Sequence, residues 1–311
     1  MKPFRKHVAL SIDGGGIKGV MVTRALAMLE EELGQSAYET FRLLAGTSTG
    51  SIISAGVAAG LSGEELHALY TELGATIFPR TWRSVLWPLT RYRYDNEPLV
   101  SALRSYIGER ALGDFWSEEP PTDVVITAFD LVENRTRFIK PWKPEYMTWP
   151  IVQAVLASST VPTYFPVVKG RYVDGGVGSY SNPCYLAAYE IRFCLEWDPT
   201  ETTLISLGTG RDPGALEPGE AKDLWTWQWL QPLLGAFLHS ADDQQVHLVD
   251  TFFEDLDFRR FQVNLREPIA MDDPSKIPEL TAYGEELGRM ILADEFDAAM
   301  AITPSQAPAS P

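Results

Sequence analysis

The chain has 311 residues, of which 45% are hydrophobic and 22% are charged, a composition typical of a globular protein that forms its core without disulfide bonds. Its formal net charge of −16 argues against non-specific nucleic-acid binding, because such binding needs a positive surface. The N-terminal residues lack the apolar stretch of a secretory signal, and no apolar run is long enough to span a membrane. We therefore predict a cytoplasmic protein with at most peripheral contact with membranes.

The beginning of the chain alternates short strands, glycine turns and helices. In order, it predicts a strand at His7–Ile12, a glycine turn at 13–16, a helix at 17–33, a strand at 41–45, a second glycine-containing turn at 46–50 and a helix at 51–60. This repeated order is typical of an α/β protein with a mainly parallel sheet.

The rest of the chain continues this pattern without an internal repeat or a convincing linker. We predict further strands at 124–129, 137–140, 171–173, 204–207 and 261–265, and further helices at 62–77, 97–107, 150–157, 183–190 and 280–300. Residues 1–302 are expected to form a single domain. The Pro-, Ala- and Ser-rich tail at 303–311 is predicted to be disordered.

The pentapeptide Gly46-Thr47-Ser48-Thr49-Gly50 has the pattern G-x-S-x-G between a predicted strand and a predicted helix. Such a tight turn raises the serine Oγ above the sheet edge, and the glycines avoid clashes that side chains would make there. The N-terminus of the following helix favours negative charge at the serine. We predict that Ser48 is a nucleophile; a small-residue packing turn is the alternative.

The run Asp13-Gly14-Gly15-Gly16-Ile17-Lys18-Gly19 supplies backbone N–H groups that could bind the oxyanion of an acyl-transfer reaction. A glycine turn between a strand and a helix also binds phosphates in dinucleotide-binding proteins. Gly14, Gly16 and Gly19 match G-x-G-x-x-G, but the acidic residue expected at the tip of a second strand is absent, since the glutamates at 30–32 fall within a predicted helix. An oxyanion hole is therefore favoured over a nucleotide site.

Val173-Asp174-Gly175-Gly176 places an aspartate at the end of a short predicted strand. Asp-Gly is an ordinary turn sequence. In a chain that also carries the two motifs above, a carboxylate on a glycine turn could accept the serine proton, because a buried carboxylate binds protons more tightly than one in water. No metal-ligand or EF-hand spacing occurs, so we predict neither a cofactor nor a metal.

In their order and context, these motifs resemble the three blocks of patatin-like phospholipases. The segment at 157–166 (ASSTVPTYFP) is also similar to the family's Ala-Ser-x-x-x-Pro-x-x-Phe segment. The resemblance spans 8–182 and continues more loosely to residue 265. It implies a three-layer α/β/α fold with a mainly parallel central sheet, and hydrolysis of acyl esters in phospholipids or lysophospholipids.

The resemblance also implies roles for individual residues. Ser48 would be the nucleophile and Asp174 the base of a Ser–Asp dyad without histidine. The oxyanion hole would be formed by Gly14, Gly15 and Gly16. Many relatives carry arginine where this chain has lysine, at position 18.

Several alternatives share these motifs. An acyltransferase would differ only in the acceptor, and a binding or storage protein would keep a vestigial site. Some bacterial patatin-like enzymes degrade membranes in anti-phage defence after a nucleotide signal. A Ser-Asp-His triad would require His239 or His247, but both lie in a helix-like run, so the dyad is preferred.

Two aromatic segments, at 82–94 and 224–238, contain tryptophan near tyrosine, arginine or leucine. Such residues suit a bilayer interface, and the alternative is that they pack in the core.

Overall fold

The computed structural model describes residues 1–81, 89–117, 121–213, 216, 219–229, 232–233, 235–236, 241–297 and 300. Within these residues a seven-stranded sheet is formed by β1 His7–Ile12, β2 Leu43–Gly46, β3 Asp123–Asp130, β4 Arg135–Ile139, β5 Tyr172–Asp174, β6 Thr202–Leu207 and β7 Asp257–Phe261.

The sheet is mainly parallel, with the strand order β4-β3-β2-β1-β6-β7. Neighbouring strands from β3 to β7 in this order run in the same direction, whereas β4 is antiparallel to β3. β5 is also antiparallel to β3 and pairs with its last three residues. The parallel strands end at one edge of the sheet, which we call the carboxyl edge. The turns that follow β1 and β2 both lie there.

Helices cover both faces of the sheet, and their bounds are α1 Gly19–Leu33, α2 Ala37–Thr40, α3 Thr49–Ala58, α4 Gly63–Ile77, α5 Glu97–Ile107, α6 Leu112–Ser117, α7 Ile151–Ser159, α8 Cys184–Phe193, α9 Asp242–Phe252 and α10 Ile277–Ala293. Strand side chains such as Leu10 and Leu44 point to the larger core, which includes α1, α3, α4, α5, α7 and α10. Ala9 and Leu43 point to the other core, which includes α8 and α9. The predicted three-layer α/β/α fold is confirmed.

Local sequence signals account for several element boundaries. Gly34 adopts φ +66 and ends α1 with a left-handed residue, which glycine tolerates without a steric cost. Ser62 caps α4, because its side chain accepts a hydrogen bond from the Glu65 N–H while the Glu65 carboxylate accepts one from the Ser62 N–H. The predicted helix at 97–107 is confirmed at both ends.

Two predicted elements are wrong in their placement. The strand predicted at 261–265 lies at Asp257–Phe261. It was misplaced because its two buried arginines interrupt the apolar pattern that predicts a buried strand. The helix predicted at 280–300 begins at Ile277 and ends at Ala293, because Asp294 takes a left-handed conformation with φ 55. In addition, α2 and α6 were not predicted from the sequence.

The two aromatic segments lie partly outside the described residues, which exclude 82–88 and much of 230–240. At the end of the first segment, Arg93 and Tyr94 are buried, and Tyr94 packs against Phe78 and Phe165, as expected of core residues. In the second segment, Trp225 is exposed. The predicted disordered tail lies outside the described residues. Within the described part of the chain, no helix is both long and apolar enough to cross a bilayer.

Asp123 begins β3 and is fully buried, with Nη2 of Arg42 3.4 Å from its carboxylate. Burial raises the pKa of Asp123 to about 6, although the Arg42 guanidinium opposes this shift. The folded protein therefore binds this proton more tightly than the unfolded chain does. At pH 4 the protonated Asp123 side chain contributes to the free energy of unfolding. This contribution is lost as the pH rises through 6 and the side chain ionises.

We expect Asp123→Asn to abolish the loss of stability that ionisation of Asp123 causes as the pH rises. Relative to wild type, the free energy of unfolding of the variant should rise between pH 4 and pH 8 by up to about 3 kcal/mol, since each pKa unit corresponds to 1.36 kcal/mol. Urea denaturation at several pH values measures the difference. Asp250→Asn, on the exposed face of α9, serves as the control and should show no such change. A constant difference between Asp123→Asn and wild type would contradict the expectation.

Candidate active site

Ser48 lies in a strained turn between β2 and α3. Its backbone has φ 54 and ψ −124, outside the regions that residues with side chains normally adopt. The turn is also sterically closed on both sides. A Cβ at Gly46 would lie 2.3 Å from the Gly50 carbonyl oxygen, and a Cβ at Gly50 would lie 2.2 Å from the Ile12 carbonyl oxygen. Both glycines of the G-x-S-x-G motif are therefore required by close backbone contact.

Two serines at the end of α7 hold the backbone of Ser48. The Ser48 N–H donates to Oγ of Ser158 at 2.8 Å, and Oγ of Ser159 donates to the Ser48 carbonyl oxygen at 3.1 Å. Both serines are buried, and both belong to the ASSTVPTYFP segment. This segment therefore fixes the turn that carries the predicted nucleophile.

The glycine turn after β1 faces Ser48. A Cβ at Gly14 would lie 3.2 Å from the Cβ of Ser48, so the two backbones approach closely. The Gly14 N–H donates to the Ser181 carbonyl oxygen at 2.9 Å and is not available to a substrate. The N–H groups of Gly15 and Gly16 make no hydrogen bond to another described residue. These two groups remain as candidate oxyanion donors.

The glycine turn is anchored to β7 by a buried ion pair. The Asp13 carboxylate accepts two hydrogen bonds from the Arg260 guanidinium, at 2.8 and 2.5 Å, and both side chains are at most 3% exposed. Oγ of Ser206 lies 2.9 Å from the same guanidinium. Burial lowers the pKa of Arg260, but the Asp13 carboxylate more than offsets this effect, so the pKa is raised and the charge is retained.

Asp174 lies at the end of β5, where Ala128 of β3 is its pairing partner. Its side chain is 1% exposed, and Oδ1 accepts a hydrogen bond from the Gly176 N–H at 2.8 Å. A Cβ at Gly175 would lie 2.0 Å from Oγ1 of Thr127, so the turn after the aspartate packs directly on β3. This hydrogen bond and the close packing of the turn position the carboxylate at the carboxyl edge.

The predicted site residues come together in one cleft. The cleft is lined by Gly14, Gly15, Gly16, Ser48, Val161, Asp174, Ser181 and Met271. An apolar cavity opens from the same place, sharing Gly16, Ser48, Val161 and Met271. Its further walls are mainly apolar or aromatic side chains such as Ile52, Leu69, Ile77, Phe78, Leu99 and Phe165. An acyl chain fits such a lining.

No histidine lines the cleft or the apolar cavity among the residues that the structure describes. His7 begins β1 and stacks on Trp197, with ring centroids 4.8 Å apart. His67 lies on α4, and His247 lies on the exposed face of α9. His239 is outside the described residues. Within the described part of the chain, no group of three His, Cys, Asp or Glu side chains is arranged to hold a metal ion.

Lys18 does not line the cleft but lies buried beside it. Its Nζ is 2.6 Å from Oδ2 of Asp212, and Oδ1 of the same aspartate accepts the Ile269 N–H at 3.1 Å. The lysine therefore joins the start of α1 to the loops that follow β6 and β7.

Sequence reasoning did not find Arg260, Ser206 or the roles of Ser158 and Ser159. The two serines lie within the ASSTVPTYFP segment, and the similarity of this segment to the family's motif could have indicated that they lie close to Ser48. Arg260 is 247 residues from Asp13 in the sequence, and no local pattern connects them.

Comparisons with known proteins agree with these motifs. A family model described as patatin-like phospholipase matches residues 10–188, which is more than half of the chain. A cGAMP-activated phospholipase of Vibrio cholerae is 26% identical over 271 residues, covering 76% of this chain and 74% of that protein. An intracellular phospholipase A2 of Caenorhabditis elegans is 30% identical over 227 residues, covering 67% of this chain but 20% of that protein. Patatin-like protein 2 of Oryza sativa subsp. japonica is 29% identical over 298 residues, covering 77% of this chain and 71% of that protein.

Solved structures are more distant. VipD from Legionella pneumophila is 14% identical with a TM-score of 0.48, covering 94% of this chain and 67% of that chain. The type III effector ExoU is 13% identical with a TM-score of 0.43, covering 95% of this chain and 54% of that chain.

Two adjacent buried arginines of β7 allow a matched test of the ion pair. Arg260 binds Asp13 at the glycine turn, whereas Arg259 binds Asp257 at 2.7 Å and the Lys2 carbonyl oxygen at 2.7 Å, far from the cleft. Removing either arginine takes its guanidinium away from a buried carboxylate, and breaking a buried ion pair typically costs about 3–5 kcal/mol. Asp257 keeps hydrogen bonds from Nζ of Lys2 at 3.3 Å and from Oγ1 of Thr203 at 2.9 Å. We expect both Arg260→Met and Arg259→Met to lower the free energy of unfolding, as measured by urea denaturation.

Only Arg260→Met should also change the chemistry of the cleft. We expect covalent labelling of Ser48 by a fluorophosphonate to slow about tenfold or more in folded Arg260→Met, because oxyanion donors act through their fixed positions. Arg260→Lys should recover part of the rate. Equal labelling rates for Arg260→Met and Arg259→Met would contradict a positioning role for the pair.

Proposed function

Because the chain belongs to the patatin-like phospholipase family, we propose that it hydrolyses fatty-acyl esters of phospholipids and lysophospholipids through an acyl-enzyme intermediate. Ser48 is the nucleophile and Asp174 the base in this proposal. Its main support is that one cleft contains Ser48, Asp174 and the Gly15 and Gly16 backbones, and opens into an apolar cavity. A nucleophile, a proton acceptor, oxyanion donors and a site for an acyl chain are the parts that ester hydrolysis requires.

Acylation begins when the Asp174 carboxylate accepts the proton of the Ser48 hydroxyl as Oγ attacks the ester carbonyl carbon. The carbonyl oxygen becomes an oxyanion, which the Gly15 and Gly16 N–H groups bind. The bond from the carbonyl carbon to the alcohol oxygen then breaks. The alcohol, a lysophospholipid or a glycerophosphodiester, leaves with the proton from Asp174, and the acyl group stays on Ser48.

Deacylation repeats these steps with water. Asp174 accepts a proton from water as the water oxygen attacks the acyl-enzyme, and the same N–H groups bind the second oxyanion. The bond to Ser48 Oγ breaks, Ser48 regains its proton and the fatty acid leaves. If another alcohol takes the place of water, the same steps transfer the acyl group, so product analysis separates a hydrolase from an acyltransferase.

We expect Ser48→Ala and Asp174→Asn to abolish fatty-acid release from mixed phospholipid vesicles, with a loss of at least about 10³-fold for Ser48→Ala. Ser54→Ala is a matched control, because Ser54 is a buried serine like Ser48. It lies within α3 and does not line the cleft. It should keep near wild-type activity. Circular dichroism verifies that each variant is folded. Activity retained by folded Ser48→Ala would refute its role as nucleophile.

The proposed dyad needs no imidazole. We expect His7→Ala, His67→Ala, His239→Ala and His247→Ala to release fatty acid within about threefold of wild type. A loss close to that of Ser48→Ala in any folded histidine variant would replace the dyad with a triad.

A second proposal concerns activation. The Vibrio cholerae relative is named a cGAMP-activated phospholipase and aligns with 76% of this chain. We propose that this chain also responds to cGAMP, as an effector that degrades membranes. Fatty-acid release should then rise at least tenfold on addition of cGAMP, with Ser48→Ala inactive in both conditions. Equal release with and without cGAMP would exclude this activation, while leaving the hydrolase proposal intact.

A further inference from the structure

The β3–β4 hairpin extends past the carboxyl edge beside the cleft. β2 ends at Gly46, which pairs with Ile126, so the last four residues of β3 continue beyond β2. Ala128 pairs with Asp174 in this extension. Leu131 follows three residues later, about 10 Å farther along the strand direction at about 3.3 Å per residue. The tip of the hairpin therefore stands at the rim of the site.

Two turns at this rim are joined and expose apolar side chains. The Leu131 N–H donates to the Arg171 carbonyl oxygen at 2.9 Å and so links the hairpin turn to the turn before β5. Leu131 is 50% exposed, Val132 68% and Val167 42%. We call the surface formed by Leu131, Val132, Val167, Arg135, Lys169 and Arg171 the rim surface.

Cationic side chains lie on the same hairpin and the same turn as the apolar ones. Lys169 Nζ lies 4.2 Å from the ring centroid of Trp149, and Arg171 and Arg135 bind the Glu133 carboxylate in the hairpin turn. Apolar tips with lysine, arginine and tryptophan beside them are typical of proteins that contact a bilayer interface, where the cations reach phosphates and the aliphatic groups enter the acyl region.

Acidic residues also lie near the rim surface, so net charge does not supply the attraction. Besides Glu133, the buried carboxylate of Asp130 accepts a hydrogen bond from Nε of Arg171 at 3.1 Å. Asp95 and Glu97 flank Asn96, whose side chain donates to the Pro166 carbonyl oxygen at 3.3 Å. Because charges of both signs are present, the free energy that favours membrane contact comes from burial of the exposed aliphatic side chains.

The rim surface is continuous in the chain with the cleft. Val161 and Phe165 line the apolar cavity, Val167 and Lys169 belong to the rim surface, and Asp174 follows five residues after Lys169. A lipid that leaves a bilayer at the rim surface would therefore meet the cavity and the cleft along one short segment.

We propose that the rim surface docks on a phospholipid bilayer, with Leu131, Val132 and Val167 inserted at the interface. This inference rests on the proposed function, since the bilayer is where the proposed substrates reside. It is distinct from the aromatic segments at 82–94 and 224–238, because all of its residues lie on the hairpin and the turn before β5.

The experiment measures binding and hydrolysis separately. Binding is followed by sedimentation of Ser48→Ala protein with phosphatidylcholine vesicles that contain phosphatidylglycerol, and hydrolysis by wild type and variants on a soluble short-chain ester and on the same vesicles. The test variant is Leu131→Ser with Val132→Ser. The matched control is Phe252→Ser, because Phe252 is also 68% exposed but lies at the end of α9, five residues before the amino end of β7.

We expect the double variant to lower the vesicle partition coefficient at least tenfold and to lower release from vesicles to a similar extent, while hydrolysis of the soluble ester is unchanged. Phe252→Ser should bind vesicles as strongly as the Ser48→Ala parent protein does. In the opposite direction, Val132→Trp should raise the partition coefficient severalfold.

Three outcomes would overturn the docking proposal: no vesicle binding by the parent, binding by the double variant equal to that of the parent, or loss of binding in Phe252→Ser alone. Each of these leaves the hydrolase proposal standing if the soluble ester is still cleaved. The failure of wild type to cleave either substrate would instead refute the proposed function, whatever the sedimentation shows.

Discussion

The ion pair between Asp13 and Arg260 is the interaction on which the arrangement of the cleft depends. A turn of three glycines has no side chains to fix its shape and loses much conformational entropy when it is ordered. Here its position is set from outside: Arg260 holds the Asp13 carboxylate, Thr209 donates to the Gly14 carbonyl oxygen, and the Ser181 carbonyl accepts the Gly14 N–H. Hydrogen bonds are directional, so they define the orientation of the turn in a way that apolar packing alone would not. Gly15 and Gly16 line the cleft, and their N–H groups make no hydrogen bond to another described residue.

The strained turn at Ser48 depends on a second set of contacts. A left-handed φ at a residue with a side chain costs about 1–3 kcal/mol and persists where the surroundings over-determine it. Ser158 and Ser159 bind both the N–H and the carbonyl of Ser48, and both are buried at the end of α7. The chain continues from α7 to Asp174, whose N–H donates to the Thr160 carbonyl oxygen at 3.1 Å. One segment thus holds the strained serine turn and also places the carboxylate, which couples the positions of the two groups.

The parts of the fold that local sequence determines were predictable. The strand at His7–Ile12, the helix at 97–107 and the turn at Ser48 each have their signal within a few residues, and the order of the glycine motifs indicated which of them belong together. β7 was misplaced because its two arginines are buried in ion pairs, Arg259 with Asp257 of the same strand and Arg260 with the distant Asp13, whereas a local reading of the sequence assigns arginines to the surface. The candidate oxyanion donors Gly15 and Gly16 could be distinguished from Gly14 only by the tertiary structure, in which the Gly14 N–H is bound to the Ser181 carbonyl oxygen.

The length of β3 connects the cleft with the surface beyond it. β2 has four residues and β3 has eight, so half of β3 extends past the carboxyl edge and offers its backbone to β5. Because β5 is antiparallel to β3, it returns toward the sheet and ends with Asp174 in the cleft that Ser48 also lines. The same extension carries the hairpin tip about 10 Å above the level of Asp174. If the rim surface lies on a bilayer, the serine stands back from the interface, and an ester must be drawn out of the membrane to reach it. In the proposed function, the apolar cavity that opens at Ser48 would receive the acyl chain that leaves the bilayer and so offset the cost of that withdrawal.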